Sequence, residues 1–103
     1  MIKVSVLYPN NVDGRFDMEY YCNSHIPMVR NKVGAACKSV AVERGLSGAE
    51  PNSAASHMTM GHLYFESVEA FHKAFDPHAE AILADIPNFT NVQPSFLVSN
   101  VVM

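Results

Sequence analysis

The first residues of the chain alternate between apolar and mostly polar positions. Every second residue from Ile2 to Tyr8 is apolar: Ile2, Val4, Val6 and Tyr8. Lys3, Ser5 and Leu7 lie between them. A period of two predicts a β-strand with one strongly apolar face. Pro9-Asn10-Asn11 and Asp13-Gly14 interrupt the pattern and indicate that the strand ends before them.

From Phe16 the apolar spacing becomes helical. The residues that recur at this spacing are Tyr20, Tyr21, Met28, Val29 and Val33. They predict a helix of about five turns, with Gly34 as its C-cap. Because Pro27 lies inside this helix, we expect a kink or a fresh first turn there, with Ile26 displaced from ideal helical angles.

Two more strands follow, separated by a loop. The stretch from Cys37 to Arg44 contains Val40, Ala41 and Val42, which predicts a second strand ending at Gly45. Residues 45–56 are rich in Gly, Ser, Ala and Pro, the composition of an exposed loop. His57 to Glu66 is predicted to be a third strand. One of its faces carries Met58, Met60, His62 and Tyr64, and the other carries Thr59, Leu63 and Phe65.

The last third of the chain predicts a helix and a final strand. Ser67 suits an N-cap, and an amphipathic helix is indicated by Val68, Phe71, Phe75, Ala79, Ile82, Leu83 and Ile86. Asp76-Pro77 divides it into two segments, with Asp76 as a new N-cap, and Pro87 closes it. The final strand runs from Phe96 to Val102. The element order is βαββαβ.

This order predicts an α+β, ferredoxin-like fold over a single domain, residues 1–103. Its usual form is a four-stranded antiparallel sheet with both helices on one face. The other face is then uncovered and would leave a large apolar patch exposed. Because two such sheets packed face to face would bury both patches, we expect a C2 homodimer.

Composition and charge limit the binding partners and the cellular compartment that we expect for this protein. The net charge is -3 and no Lys or Arg cluster occurs, so nucleic acid is not an expected partner. No apolar stretch approaches the length of a signal peptide or of a membrane span, which predicts a cytoplasmic protein with no membrane partner. In that compartment Cys22 and Cys37 are expected to be free thiols.

The strongest candidate chemistry is on the first helix. Tyr21 and His25 are four residues apart, so they project from one face and can meet a common ligand. Histidine transfers protons near neutral pH, and a tyrosine hydroxyl can hold an oxyanion. The alternative is structural: His25 caps a kinked helix and Tyr21 belongs to the core. Spacing alone leaves both open.

Other polar residues are weaker candidates. Cys22 and His25 have metal-compatible spacing, but no third or fourth ligand accompanies them, so no metal is expected. His62 and Tyr64 either line the pocket or lie in the dimer interface, and the interface is the favoured alternative. A solvated or structural role is expected for His72 and His78.

Several segments resemble the EthD family over nearly the whole chain. They are Phe16-Asp17, Tyr20-Tyr21, His25 with Pro27-Met28, Met60-Gly61-His62-Leu63-Tyr64-Phe65, Asp85-Ile86-Pro87-Asn88 and Gln93-Pro94. The resemblance implies a dimeric α/β barrel and a histidine before the proline as a functional residue. It also implies a link to ethyl tert-butyl ether degradation and the label of reductase. Because no Gly-rich phosphate loop is present, we expect no nicotinamide or other bound cofactor.

Two functions remain open at this point. The first is a cofactor-free enzyme, an oxidoreductase or isomerase-like protein, that acts on a small apolar oxygenated or aromatic catabolic intermediate. Its catalytic residues would be His25 and Tyr21, and its substrate contacts Tyr20, Met28, His62 and Tyr64. The second is a small-molecule binding or accessory protein for a monooxygenase degradation system. A titratable pair on a pocket wall would favour the enzyme, and a fully apolar cavity would favour binding.

Overall fold

Four strands form one antiparallel sheet in the computed structural model, which describes residues 1–103. The strands are β1 (Ile2–Pro9), β2 (Ser39–Arg44), β3 (His57–Phe65) and β4 (Ser95–Asn100). Their order across the sheet is β2-β3-β1-β4, so β1 and β3 are central and β4 is an edge strand. Helical connections follow β1 and β3, which confirms the predicted ferredoxin-like βαββαβ fold.

The first helical connection changes its winding in the middle. It consists of α1 (Met18–Tyr20), a π-helical segment (Tyr21–His25) and α2 (Ile26–Val33). Ile26 has helical angles, φ −61° and ψ −44°, so the predicted displacement of this residue is wrong. The N–H of Ile26 bonds instead to the carbonyl of Tyr21, five residues back. This wider turn relieves the clash that the ring of Pro27 makes with the preceding turn of a regular α-helix.

The ends of this connection follow the sequence signals. The side chain of Asp17 accepts a hydrogen bond from the N–H of Tyr20 and caps the helix start. Gly34 is the C-cap of α2, with φ +64°, as its position predicted. Because few residues other than glycine adopt that angle readily, the sequence marks this helix end well.

The second helical connection is also divided, as predicted. It consists of α3 (Val68–Phe75), α4 (Ala79–Ala84) and short 3₁₀ turns at Asp76–His78 and Ile86–Asn88. The hydroxyl of Ser67 accepts from the N–H of Ala70 at 3.0 Å, which confirms the N-cap. Asp76 has helical angles and is not a new N-cap, so Pro77 tightens the helix without breaking it. Likewise Pro87 lies within a 3₁₀ turn and does not end the segment.

The core lies between the helices and one face of the sheet. A larger cluster joins β1 and β3 to α2, α3 and α4: Ile2, Val4, Val29, Val33, Cys37, Leu63, Phe65, Phe71 and Ile82. A smaller cluster is made of Tyr8, Tyr21, Phe89 and Val92. The opposite face of the sheet carries Lys3, Leu7, Met60 and Tyr64, all partly exposed. No helix of the chain is long and apolar enough to cross a membrane.

Candidate functional site

A cavity of about 250 Å³ lies where the two core clusters meet. It is lined by Val4, Val6, Tyr8, Tyr21, His25, Ile26, Val29, Gly61, Leu63, Phe71, Phe75, Ile82, Leu83, Ile86, Phe96 and Val98. Leu83, Phe96 and Val98 are 42%, 53% and 41% exposed, which places the opening between α4 and the edge strand β4. Since an apolar cavity of about 150 Å³ can bind benzene, this one has room for a bicyclic compound.

The π-helical segment brings Tyr21 and His25 into contact on the cavity wall. Their rings are nearly parallel, with centroids 5.5 Å apart and an angle of 14°. The ring of Phe89 packs against His25 at a centroid distance of 4.6 Å. Both Tyr21 and His25 are buried, at 1% and 4% exposure. Packing against these two aromatic rings, which also contact each other, therefore fixes the plane of the imidazole.

Asp85, the C-cap residue of α4, contacts the edge of the His25 ring. The Nδ1 atom of His25 lies 2.9 Å from Oδ2 of Asp85. The other carboxylate oxygen, Oδ1, accepts from the hydroxyl of Tyr20 at 2.8 Å and from the amide of Asn88 at 2.9 Å. Three side chains from two connections thus converge on one carboxylate and fix its orientation.

The charge state of this pair follows from its surroundings. Burial lowers the pKa of His25, and this effect outweighs the opposing hydrogen bond and charge of Asp85. Burial alone would raise the pKa of Asp85, but the hydrogen bonds from Asn88, His25 and Tyr20 together lower it. Near neutral pH the pair is therefore a neutral imidazole beside an ionised carboxylate. Because a carboxylate only accepts hydrogen bonds, Nδ1 of His25 must carry the proton, and Nε2 keeps a free lone pair.

This geometry decides one alternative that the sequence left open. The side chain of His25 makes no capping hydrogen bond to the start of α2. Its ring is bonded instead to Asp85, sixty residues away in the chain. Tyr21 belongs to the smaller core cluster and lines the cavity as well. His25 is therefore not a helix cap, and Tyr21 is both a core residue and a cavity residue.

The other predicted contact residues lie elsewhere. Tyr20 does not line the cavity but donates to Asp85, and Met28 packs against the larger core cluster. His62 and Tyr64 lie on the opposite face of the sheet. Both ring nitrogens of His62 are engaged within the chain: Nδ1 with the hydroxyl of Ser5 at 2.8 Å and Nε2 with Glu43 at 2.9 Å. The structure does not bring Met28, His62 or Tyr64 to the cavity.

Three residues of the site were given no functional role in the sequence-based predictions: Asp85, Asn88 and Tyr8. One signal for Asp85 was present, because an acidic residue at a helix C-terminus is opposed by the helix dipole and suggests another use. For Asn88 the only signal was its place in the Asp85-Ile86-Pro87-Asn88 segment that resembles the EthD family. Tyr8 is part of the apolar alternation of β1, which predicts burial but not a cavity. No group of three or more His, Cys, Asp or Glu side chains is placed to hold a metal ion.

The fold and the cavity define a class: a ferredoxin-like α+β protein with an apolar ligand cavity and a histidine–aspartate pair in its wall. The EthD domain model matches residues 11–93, so the chain belongs to the EthD family, as the resemblance implied. No curated protein matches it.

One solved structure supports this membership, and two more distant ones share the fold. The crystal structure of an EthD-like protein from Ralstonia eutropha JMP134 is 39% identical, with a TM-score of 0.94, over 99% of this chain and 92% of that one. An ethyl tert-butyl ether degradation (EthD) family protein from Bacillus halodurans C-125 is 20% identical, with a TM-score of 0.75, over 99% of each chain. A protein from Bacteroides fragilis NCTC 9343, described as dimeric, ferredoxin-like and of unknown function, shares 12% identity over 97% of this chain and 95% of that one, with a TM-score of 0.50.

Proposed function

We propose that this EthD protein is an enzyme that moves a proton on a small, largely apolar ring compound bearing an oxygen, with His25 as the general base. The observation that carries the proposal is the bond between Nδ1 of His25 and the ionised Asp85, which leaves Nε2 as the basic atom on the wall of the cavity. A buried, oriented and neutral imidazole is the arrangement that general base catalysis requires.

The chemistry uses only groups of this chain. Nε2 of His25 removes a proton from a carbon next to a carbonyl, and the C–H electron pair forms a C=C bond while charge moves to the carbonyl oxygen. Asp85 then stabilises the imidazolium through the hydrogen bond at Nδ1. The imidazolium returns the proton to carbon, so the residue is restored after each cycle. The apolar walls exclude water and strengthen each of these interactions.

A second candidate function is binding without turnover, for example as an accessory protein of a monooxygenase system. The observation that favours it is the nature of the cavity walls, whose only polar side-chain groups are the hydroxyls of Tyr8 and Tyr21 and the imidazole of His25. An apolar cavity binds a ring compound through burial alone. The two candidates differ in one observable, because only the enzyme labilises a C–H bond of the ligand.

Deuterium exchange into α-tetralone tests the enzyme. This bicyclic ketone has acidic hydrogens beside its carbonyl, and their exchange in D₂O is followed by mass spectrometry. We expect the wild-type protein to accelerate exchange and His25→Gln to lower the rate on the order of 10²-fold or more. His72→Gln is the matched control, because His72 is exposed on α3 and pairs only with Asp76 at the surface.

Two outcomes would contradict the proposal. If the wild-type protein binds α-tetralone without accelerating exchange, the binding function is favoured. If His25→Gln exchanges as fast as wild type but unfolds at a lower temperature, His25 is structural. In that case the loss of its hydrogen bond to Asp85 should reduce the free energy of unfolding by about 1–3 kcal/mol.

We further propose that the working form is a homodimer built on the open sheet face. Leu7, Met60 and Tyr64 lie partly exposed on this face, and Leu97 is 52% exposed beside them. Burying such a patch against a second copy removes apolar surface from water. Light scattering of a dilute solution should give twice the chain mass of 11.3 kDa. A monomer mass would contradict this assembly.

A further inference from the structure

Two phenol side chains meet on the sheet side of the cavity. Tyr8 extends from β1 and Tyr21 from the π-helical segment, and each is 1% exposed. Their rings approach edge to face, with centroids 5.8 Å apart and an angle of 80°. Both side chains line the cavity, and the hydroxyl oxygen of Tyr21 rests against Gly61 of β3. The proposed function uses neither hydroxyl for proton transfer, so their presence in an apolar cavity needs a separate explanation.

Neither hydroxyl of this pair has a hydrogen-bond partner within the chain, because none of the side-chain hydrogen bonds involves Tyr8 or Tyr21. Each hydroxyl supplies one donor. A pair of phenylalanines would fill the same space without burying an unpaired donor, which is unfavourable for folding. The unpaired donor is therefore available for an acceptor atom inside the cavity.

Gly61 gives a second and independent reason to regard the hydroxyl position as functional. It lies at the centre of β3, paired with Val6 and Val42, where glycine weakens a strand. A Cβ at this position would overlap the hydroxyl oxygen of Tyr21 and would lie 3.3 Å from its Cζ atom. The strand thus lacks a side chain at the one place where the Tyr21 hydroxyl rests.

We propose that the Tyr8–Tyr21 hydroxyl pair binds the carbonyl oxygen of the ligand, and that the ligands of this cavity are ring ketones that enolise. The proposal rests on the proposed function, because it supplies the oxyanion partner of the His25 base. When Nε2 of His25 takes the proton from carbon, the negative charge develops on the oxygen that this pair holds. A positioned donor at that oxygen stabilises the enolate more than the ketone.

The ionisation behaviour of the pair supports a donor role. Burial raises the pKa of Tyr21 to about 12. Burial, and to a lesser degree the neighbouring Tyr21, raise the pKa of Tyr8 further. Both phenols therefore keep their protons at neutral pH.

Paired ligands test this carbonyl site. α-Tetralone and tetralin share a ring system, but only the ketone has the oxygen. We expect calorimetry to show that the wild-type protein binds α-tetralone at least about 10-fold more tightly than tetralin. This ratio corresponds to the free energy of one hydrogen bond formed away from water. The double variant Tyr8→Phe/Tyr21→Phe should lose this preference and keep its affinity for tetralin, which also shows that the cavity remains folded.

Thr59→Val is the matched control. Thr59 faces the helices on β3, is 1% exposed, and its hydroxyl has no hydrogen-bond partner, but it lies outside the cavity. This variant also removes a buried, unpaired hydroxyl, so it should raise the unfolding temperature without changing the preference for the ketone. A change of preference in Thr59→Val would mean that general stability, and not the phenol pair, determines binding.

The outcomes separate this proposal from the proposed function. One outcome is that the double variant loses the preference for the ketone while the wild-type protein does not accelerate deuterium exchange. This outcome supports the carbonyl site and refutes the enzyme. Exchange that is equally fast in the double variant supports the His25 base and refutes the carbonyl site. A wild-type protein that binds both compounds equally, or neither of them, also refutes the carbonyl site.

Discussion

Replacing Gly61 by alanine perturbs the site through a single methyl group. The new Cβ overlaps the hydroxyl oxygen of Tyr21 and stands 3.3 Å from Cζ and 3.8 Å from Cε2 of the same ring. No other atom lies as close to that position. The substitution therefore acts on one neighbour, and Tyr21 has little freedom to move because it is packed against Tyr8, Phe16 and Phe89.

Two opposing contributions set the size of the effect. Overpacking a well-ordered core typically costs about 1–3 kcal/mol. Alanine restricts the unfolded chain more than glycine does, which stabilises the folded state by about 0.4–1 kcal/mol where the backbone angles suit alanine. They suit it here because Gly61 does not have a positive φ. The net expectation is that Gly61→Ala reduces the free energy of unfolding by about 1–2 kcal/mol.

Removing the hydroxyl should remove most of this penalty. In a Tyr21→Phe background the closest ring atom is Cζ at 3.3 Å, which requires an adjustment of only a few tenths of an ångström. Urea unfolding of the wild type, both single variants and the double variant gives the coupling between the two positions. We expect a favourable coupling of about 1 kcal/mol or more, with the double variant close to Tyr21→Phe alone.

Additive effects would refute this reasoning. If the effects of the two single substitutions on the free energy of unfolding add up to the effect of the double substitution within about 0.5 kcal/mol, the methyl group does not contact the Tyr21 hydroxyl. The placement of that hydroxyl against β3, and with it the carbonyl site, would then be wrong.

Two further predictions concern the histidine–aspartate pair. Asp85→Asn should lower the rate of deuterium exchange into α-tetralone on the order of 10²-fold, because a neutral amide no longer fixes the proton on Nδ1 of His25 or stabilises the imidazolium. Asp76→Asn is the control: Asp76 forms an exposed pair with His72, and its substitution should have no effect on exchange. The free energy of unfolding should fall as the pH drops below the ordinary His value of 6.5, because the folded chain holds the pKa of His25 below that value and the unfolded chain binds the proton first. Asp85 adds a second decline below its ordinary value of 3.8, since its folded pKa is also lowered. Urea unfolding at a series of pH values measures both. His25→Gln should abolish the first decline and weaken the second, because one of the hydrogen bonds that lower the pKa of Asp85 comes from His25.

Local patterns in the sequence were enough to predict the fold. Neighbours a few residues away determine each of three features: the alternation in β1, the N-cap at Ser67 and the C-cap at Gly34. All three occur in the structure as predicted. The form of the irregularity at Pro27 was not predictable, because a proline is compatible with a kink, a new first turn or a π-helical segment. Here the π-helical segment is the outcome.

The candidate site could be predicted only in part, because its contacts cross the fold. The spacing of Tyr21 and His25 is local, and the structure does bring their rings together. The partner of His25, Asp85, comes from the end of α4, and no local pattern shows which helix ends meet. For His62, alternation predicted the correct strand, but not which face of the sheet borders the cavity.

The protonation state of His25 tests the central claim most directly, and ¹⁵N NMR of histidine-labelled protein measures it without a substrate. The His25→Gln variant assigns the signal by its loss. We predict a neutral ring at neutral pH with the proton on Nδ1 and a bare Nε2, and a titration midpoint below the ordinary value of 6.5. A proton on Nε2 of the neutral ring, or a charged ring at neutral pH, would leave no free base facing the cavity and would contradict the account.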